Sequence, residues 1–110
     1  MVKSLSLLVR KDGMTHEQFM THWVEIHAPL ARKVPGLRRY VQSHIRDQRR
    51  RPDIPDIGVE VDGIAETWYD DAEAMARAVA TPEMKALHAD GALFIGRIQS
   101  FITHEHVVIG

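Results

Sequence analysis

The stretch HWVEIHAPLARKVPGLRRY, residues 22–40, holds the end of an amphipathic helix, a turn and the start of a strand. Apolar residues recur at helical intervals, and the pattern stops at a proline–glycine pair. The recurring residues are Phe19, Trp23, Ile26, Leu30 and Val34. Thr15 and Gln18 have the spacing of a capping box, so the sequence predicts one helix over residues 15–33.

The remaining sequence predicts four strands and a second helical region. Alternating or β-branched runs place the strands at residues 2–10, 37–45, 64–69 and 96–108. The alanine-rich residues 70–95 predict helix, interrupted near Thr81 and Pro82, and residues 48–62 predict a long loop. The order βαββαβ favours an α+β, ferredoxin-like fold, with a four-stranded antiparallel sheet and both helices on one face.

The second strand carries two different faces. Tyr40, Gln42 and His44 alternate with an apolar set, Leu37, Val41 and Ile45. If the polar set faces the helices, the apolar set lies on the open face of the sheet. An exposed apolar face favours association. We therefore expect a two-fold homodimer, formed sheet against sheet.

Length and composition exclude several classes of protein. The 110 residues fit one domain, 1–110, and the net charge of −1 provides no field that would collect nucleic acid or an anionic membrane. The basic run Arg49–Arg51 is flanked by aspartates, which favours a solvated loop. There is no cysteine, no leader pattern and no apolar run of about 20 residues. We expect a cytoplasmic protein without nucleic-acid or membrane partners.

His27 lies at the border of the predicted apolar stripe, where a hydrocarbon side chain is more usual. A satisfied structural histidine would explain it, and so would a group that faces a cavity. Pro29 has no amide hydrogen, so the helix should loosen beside His27. The polar face of the second strand, together with aromatic residues, has the composition of a small-molecule site. Those aromatic residues are Phe19, Trp23 and Trp68.

The chemistry of these residues predicts proton transfer beside a carbonyl group. His27 would be the general acid and base, and Tyr40 would donate a hydrogen bond to a developing oxyanion. Gln42 and His44 would orient the substrate, while Phe19, Trp23 and Trp68 would shape the cavity. Arg38 or Arg39 would meet a carboxylate if the strand turned it inward. This chemistry requires no metal and no organic cofactor, so we expect none.

Two other features leave alternatives open. His104 and His106 share a face of the predicted last strand, a spacing that metal sites use, although a polar strand end near the C-terminus explains them better. His88 is either exposed or closes the pocket. The sequence contains no glycine-rich phosphate loop and no Gly-x-Ser-x-Gly elbow, which argues against nucleotide-dependent and acyl-serine chemistry.

Motifs along nearly the whole chain resemble the EthD family. They are LLVRK in the first strand, F…HW…HAPL in the helix, VPGLRRY, AETWYD and FIG. The resemblance implies a dimeric α+β barrel with a pocket between sheet and helices. Within the family the likeness is greatest to the 4-methylmuconolactone methylisomerase branch. Its functional helix histidine and strand tyrosine correspond in motif position to His27 and Tyr40.

The resemblance implies a cofactor-independent, isomerase-type enzyme for a small lactone or aromatic-derived acid. One alternative is a non-catalytic protein that holds a small molecule for an oxygenase or an ether-degradation pathway. A further alternative is a cofactor-free monooxygenase or a polyketide cyclase-like enzyme. Similar heme degraders use an asparagine, and this chain has none.

Overall fold

Strands and helices follow one another in the predicted order in the computed structural model, which describes residues 1–110. The strands are β1 Val2–Arg10, β2 Arg39–His44, β3 Gly63–Tyr69 and β4 Ile95–Thr103. The helices are α1 His16–His22, a π-helical turn Trp23–His27, α2 Ala28–Ala31, α3 Ala72–Val79 and α4 Pro82–Phe94. No helix is long and apolar enough to cross a membrane.

The four strands form one antiparallel sheet in the order β2-β3-β1-β4. The helices cover one face of this sheet, so the predicted ferredoxin-like α+β fold is confirmed. Because side chains alternate along a strand, every second residue faces the helices and its neighbours face outward. The helix-facing residues include Ser4, Ser6 and Leu8 of β1.

The predicted helix starts are confirmed by their caps. The Thr15 hydroxyl accepts from the Gln18 amide nitrogen, and the Gln18 side chain accepts from the Thr15 amide, which completes a capping box. Thr81 caps α4, whose first residue is Pro82. The two caps determine where α1 and α4 begin.

Most of the buried apolar side chains form two groups on the helix-facing side of the sheet. One group consists of Leu8, Phe19, Trp23 and Phe94. The other consists of Ala31, Val34, Tyr69, Ala78, Met84 and Leu87. Between them the helices do not close completely onto the sheet, which leaves room for the cavity described below.

The π-helical turn corrects the predicted stripe of the first helix. Ile26 is 51% exposed, whereas His27 is 8% exposed and takes the buried position. The reason is that the Ala28 amide donates to the Trp23 carbonyl oxygen, five residues back, which adds a residue to this turn. The buried positions therefore recur every four residues, at Phe19, Trp23, His27 and Ala31.

Two further predictions about strands need correction. Leu37 precedes β2 and lines the cavity, so it does not belong to an outward apolar face. Its amide donates to the Val34 carbonyl oxygen within the turn, which places it outside the strand alternation. β4 ends at Thr103, so His104 and His106 lie beyond the sheet and share no strand face.

Candidate active site

A cavity of about 810 Å³ lies between the sheet and the helices. Strand residues form its floor, and residues of the π-helical turn, α2, α3 and α4 form its roof. Most of its lining is apolar, and no lysine, arginine, aspartate or glutamate lines it. Its hydrogen-bonding side chains therefore have a low-dielectric surround, in which electrostatic interactions are stronger than in water.

His27 and Tyr40 both line this cavity. The helical layer supplies the histidine because the π-helical turn brings it inward, and β2 supplies the tyrosine from its helix-facing side. The two candidate catalytic residues, predicted separately from a helix and a strand, are thus brought to one space.

A buried carboxylate orients the His27 ring. The Asp90 Oδ2 atom lies 2.8 Å from His27 Nδ1, and Asp90 Oδ1 lies 2.9 Å from His22 Nε2. A carboxylate accepts, so Nδ1 of His27 carries the proton and its Nε2 lone pair is free toward the cavity. Burial lowers the pKa of His27, and the hydrogen bond with Asp90 only partly offsets this effect. The ring is therefore neutral near pH 7 and is able to accept a proton.

Two donors fix the Tyr40 hydroxyl. The Trp23 indole donates to the hydroxyl oxygen at 2.9 Å, and the Gln42 amide donates to the same oxygen at 3.2 Å. Because this oxygen already accepts twice, its own O–H is left to donate into the cavity. Burial raises the pKa of Tyr40, so the phenol keeps its proton at neutral pH.

Sequence reasoning missed Asp90 and its contact with His22. The signal was present, because an aspartate falls three residues after buried Leu87 and four before buried Phe94 on one helix. A buried carboxylate on an apolar helix face requires a partner. The partner histidines, however, lie more than 60 residues away along the chain.

Of the other predicted site residues on the helix-facing side, one lines the cavity and the others contact residues that line it. Trp23 lines the cavity, whereas Phe19 lies beneath it, with its ring 5.5 Å from that of Trp23. Gln42 holds Tyr40 and also donates to the Trp23 carbonyl oxygen. The His44 ring lies 4.7 Å from the Trp23 indole, and its Nε2 atom is 3.0 Å from the Gln42 oxygen. Gln42 and His44 thus position other groups and do not line the cavity.

The structure does not bring Trp68 to the cavity. Strand alternation turns Thr67 and Tyr69 inward and Trp68 outward. Its indole donates to Glu105 at 3.0 Å, and the Arg39 guanidinium lies over its ring. Arg39 is therefore on the outer face as well.

The other ionisable residues that the sequence suggested as site candidates are exposed at the protein surface. Arg38 pairs with Asp70 at the surface. His88 is exposed and also lines the cavity, so both expectations for it apply together. Arg50 and Arg51 form surface ion pairs with aspartates of their own loop. No group of three or more His, Asp or Glu side chains is arranged to hold a metal ion.

Comparison with known proteins agrees with this architecture. The family model described as the EthD domain matches residues 11–98. The chain is 31% identical over 109 residues to 4-carboxymethyl-4-methylbutenolide mutase from Pseudomonas reinekei, with 97% of this chain and 100% of the mutase covered.

Solved structures give the same result. An EthD family protein from Bacillus halodurans C-125 superimposes with a TM-score of 0.76 at 31% identity, and 96% of this chain and 99% of that one are covered. A dimeric protein with a ferredoxin-like fold from Bacteroides fragilis NCTC 9343 reaches a TM-score of 0.67 at 14% identity, with 94% and 95% covered, which supports the fold alone. By its sequence motifs, its matching domain and its nearly full-length relatives, the chain belongs to the EthD family.

Proposed function

We propose that the protein is a cofactor-independent enzyme that isomerises a small lactone acid by proton transfer. The observation that carries the proposal is the pairing of His27 and Tyr40 on one apolar cavity. The mutase relative from Pseudomonas reinekei, whose name gives a butenolide as its substrate, supports the substrate class.

The proposed reaction begins with His27 as the base. Its Nε2 lone pair takes a proton from the carboxymethyl CH2, the electron pair of that C–H bond forms a double bond to ring carbon C4, and the C4–O bond of the lactone breaks with its electrons on the oxygen. The Tyr40 hydroxyl donates to the carboxylate oxygen that this ring opening releases. The other carboxylate then adds to the carbon β to the released carboxylate and closes a new lactone. The imidazolium returns the same proton to the carbon α to the released carboxylate, so the product is an isomer and no atom is gained or lost.

Asp90 completes the arrangement as a positioning residue. Its hydrogen bond holds the Nδ1 proton of His27 and stabilises the ring when the ring becomes cationic. The apolar lining offers water few hydrogen-bond partners beside the ring-opened intermediate, which favours closure of the new ring over protonation by solvent. We further propose that the enzyme acts in the cytoplasm on acids derived from aromatic compounds; the apolar cavity and the absence of cysteine are consistent with this role.

The test is turnover of 4-carboxymethyl-4-methylbutenolide, followed by chromatography of the isomers. We expect the protein to convert it, and His27→Ala to reduce kcat by about 10²–10⁴-fold, the usual contribution of a general base. His104→Ala is the matched control, because His104 lies in the exposed segment after β4. If the protein binds lactones, turns none over, and keeps its affinity in His27→Ala, it is a binding protein and the catalytic proposal is wrong.

We also propose that the protein is a two-fold homodimer, joined through the outer face of the sheet. Apolar side chains on this face remain partly exposed in the single chain. They are Leu5, Leu7, Val41, Ile64 and Phe101. The Bacteroides fragilis protein, which shares the fold, is described as dimeric.

Light scattering at micromolar concentration tests the dimer. We expect twice the mass of one chain, and we expect Phe101→Glu to give the mass of one chain, because a charge would be buried in the interface. Val24→Glu is the control: it places the same charge at a position that is 50% exposed on the helical layer. A monomeric mass for the unmodified protein would contradict the proposal.

A further inference from the structure

Four hydroxyl side chains lie next to one another on the cavity floor. Ser4 pairs with Thr67 across β1 and β3, and Ser6 pairs with Ser100 across β1 and β4. Ser4 and Ser6 are neighbours on the same face of β1, and all four residues line the cavity. We call Ser4, Ser6, Thr67 and Ser100 the hydroxyl stripe. At its other end Thr67 pairs with Tyr40, so the stripe adjoins the proposed catalytic group.

The fold itself does not use all of these hydroxyls. The Ser6 and Ser100 oxygens are hydrogen-bonded to each other at 2.7 Å. The Ser4 and Thr67 hydroxyls line the cavity and are not sealed in the protein interior. A side chain between sheet and helices is normally apolar, because a polar group there loses water without a replacement partner. Hydroxyls at these positions therefore offer hydrogen bonds to a molecule in the cavity.

The lining restricts what an anionic ligand can contact. No lysine or arginine lines the cavity, so a carboxylate inside it has no fixed cation to meet. Hydroxyls rotate, so Ser4 and Thr67 can both turn their O–H bonds toward one anion. Neighbouring strands are about 4.8 Å apart, so a carboxylate above two of them can accept from both.

We propose that the hydroxyl stripe is the carboxylate subsite of the enzyme, and that the lactone ring lies between His27 and Tyr40. The proposal rests on the proposed function for its substrate class. Binding the carboxylate at one end of the floor fixes which carbon of the lactone faces His27 Nε2. The stripe thereby determines the site of proton transfer as well as the affinity. The enzyme selects a lactone that carries an acid group over one that lacks it.

The test compares an acid with its ester in the double variant Ser4→Ala/Thr67→Val, both changes removing a hydroxyl with little change of shape. Binding of 4-carboxymethyl-4-methylbutenolide and of its methyl ester is measured by equilibrium dialysis in a His27→Ala background, where turnover does not interfere. We expect the acid to bind at least tenfold more tightly than the ester in that background. The double variant should lose about tenfold in acid affinity and leave ester affinity unchanged.

Two further variants make the result decisive. Ser43→Ala removes a hydroxyl from the outer side of β2 and should preserve the preference for acid. His88→Gln tests the exposed histidine of the cavity lining as an alternative partner for the carboxylate. The proposal is overturned if the double variant binds the acid within twofold of the background protein, or if only His88→Gln abolishes the preference. Because binding is read without turnover, a failure of the isomerase proposal appears separately, as an inactive wild-type protein that still prefers the acid.

Discussion

His27 shows how residues distant in the sequence orient one side chain. On its own helix it is a histidine in a buried stripe, and such a residue is commonly structural. Asp90 on α4 orients it for the proposed role as a base, because the carboxylate holds one ring proton and leaves the other nitrogen free. Trp23 and Gln42 do the same for Tyr40, because by donating to its oxygen they direct the phenol proton into the cavity.

Asp90→Asn tests this orientation at the residue scale. The asparagine amide can donate to His27 Nδ1, which would move the ring proton to Nε2 and block the base. We expect kcat to fall by about 10²-fold or more while KM changes little, as with an incorrect histidine tautomer in other enzymes. Steady-state kinetics on the butenolide measure both constants.

The matched control for Asp90→Asn is Asp70→Asn, at a carboxylate that pairs with Arg38 on the surface. It should leave both kinetic constants as they are in the wild-type protein. Circular dichroism establishes that each variant is folded. An unchanged kcat in folded Asp90→Asn would show that the carboxylate does not orient the base.

At the scale of the elements, the π-helical turn and β3 pack closely against each other. The turn keeps Trp23 and His27 on the same side of the helix, and it presses the indole against the sheet at Gly63. A Cβ atom on Gly63 would lie 2.7 Å from Cη2 of Trp23. The indole is fully buried and is held by its hydrogen bond to Tyr40, so it has no free space to occupy.

Gly63→Ala should therefore destabilise the fold by about 1–3 kcal/mol, the usual cost of overfilling a core. It should also displace Trp23 and so weaken the positioning of Tyr40. Gly91→Ala is the control for stability: its new Cβ would have ordinary contacts, 3.5 Å from Ile95 and 3.7 Å from His27, and alanine favours helix at this position of α4. Urea unfolding curves should move in opposite directions for the two variants. Equal stability of Gly63→Ala and the wild-type protein would contradict the tight fit.

At the scale of the whole molecule, ionisable groups join elements that are far apart in the chain. Asp62 accepts from the Arg10 amide and guanidinium and lies 2.7 Å from Nδ1 of His16, so it links β1, α1 and the loop before β3. Burial alone raises the pKa of Asp62, but the hydrogen bonds from Arg10 and His16 together lower it. Burial also lowers the pKa of His44, as it does for His27.

These shifts predict a fold that weakens in acid. A histidine whose pKa is lowered by folding binds its proton more readily in the unfolded chain, so stability falls as the pH drops below about 6.5. The carboxylate of Asp62 adds a second loss, which begins below about pH 4 and continues through its lowered pKa. Urea midpoints between pH 8 and pH 3 should show both stages.

His44→Gln tests the first stage of this acid response, because it removes one of the two histidines whose pKa is lowered by folding. The slope of stability between pH 6.5 and pH 5 should become shallower in this variant. His104→Gln, in the exposed segment after β4, should keep the slope of the wild-type protein. A midpoint independent of pH between 8 and 5 would contradict the assignment to His27 and His44.

The sequence by itself determined the element order, the caps and the fold class. These depend on local signals, such as the Thr15 capping box, the break at Pro82 and the alternation of strands. It also indicated His27 and Tyr40, because a polar residue at a position expected to be apolar is visible without coordinates.

Only the tertiary structure decided how those residues are oriented and which surfaces meet. The extra residue of the π-helical turn exchanges Ile26 for His27 at the buried position, an effect that a regular helical period does not contain. The direction of the β3 alternation turned Trp68 away and brought Thr67 into the cavity. Asp90 reached His27 through the arrangement of α4 against the first helix. Each of these depends on contacts between residues distant in the chain, and local sequence patterns do not encode such contacts.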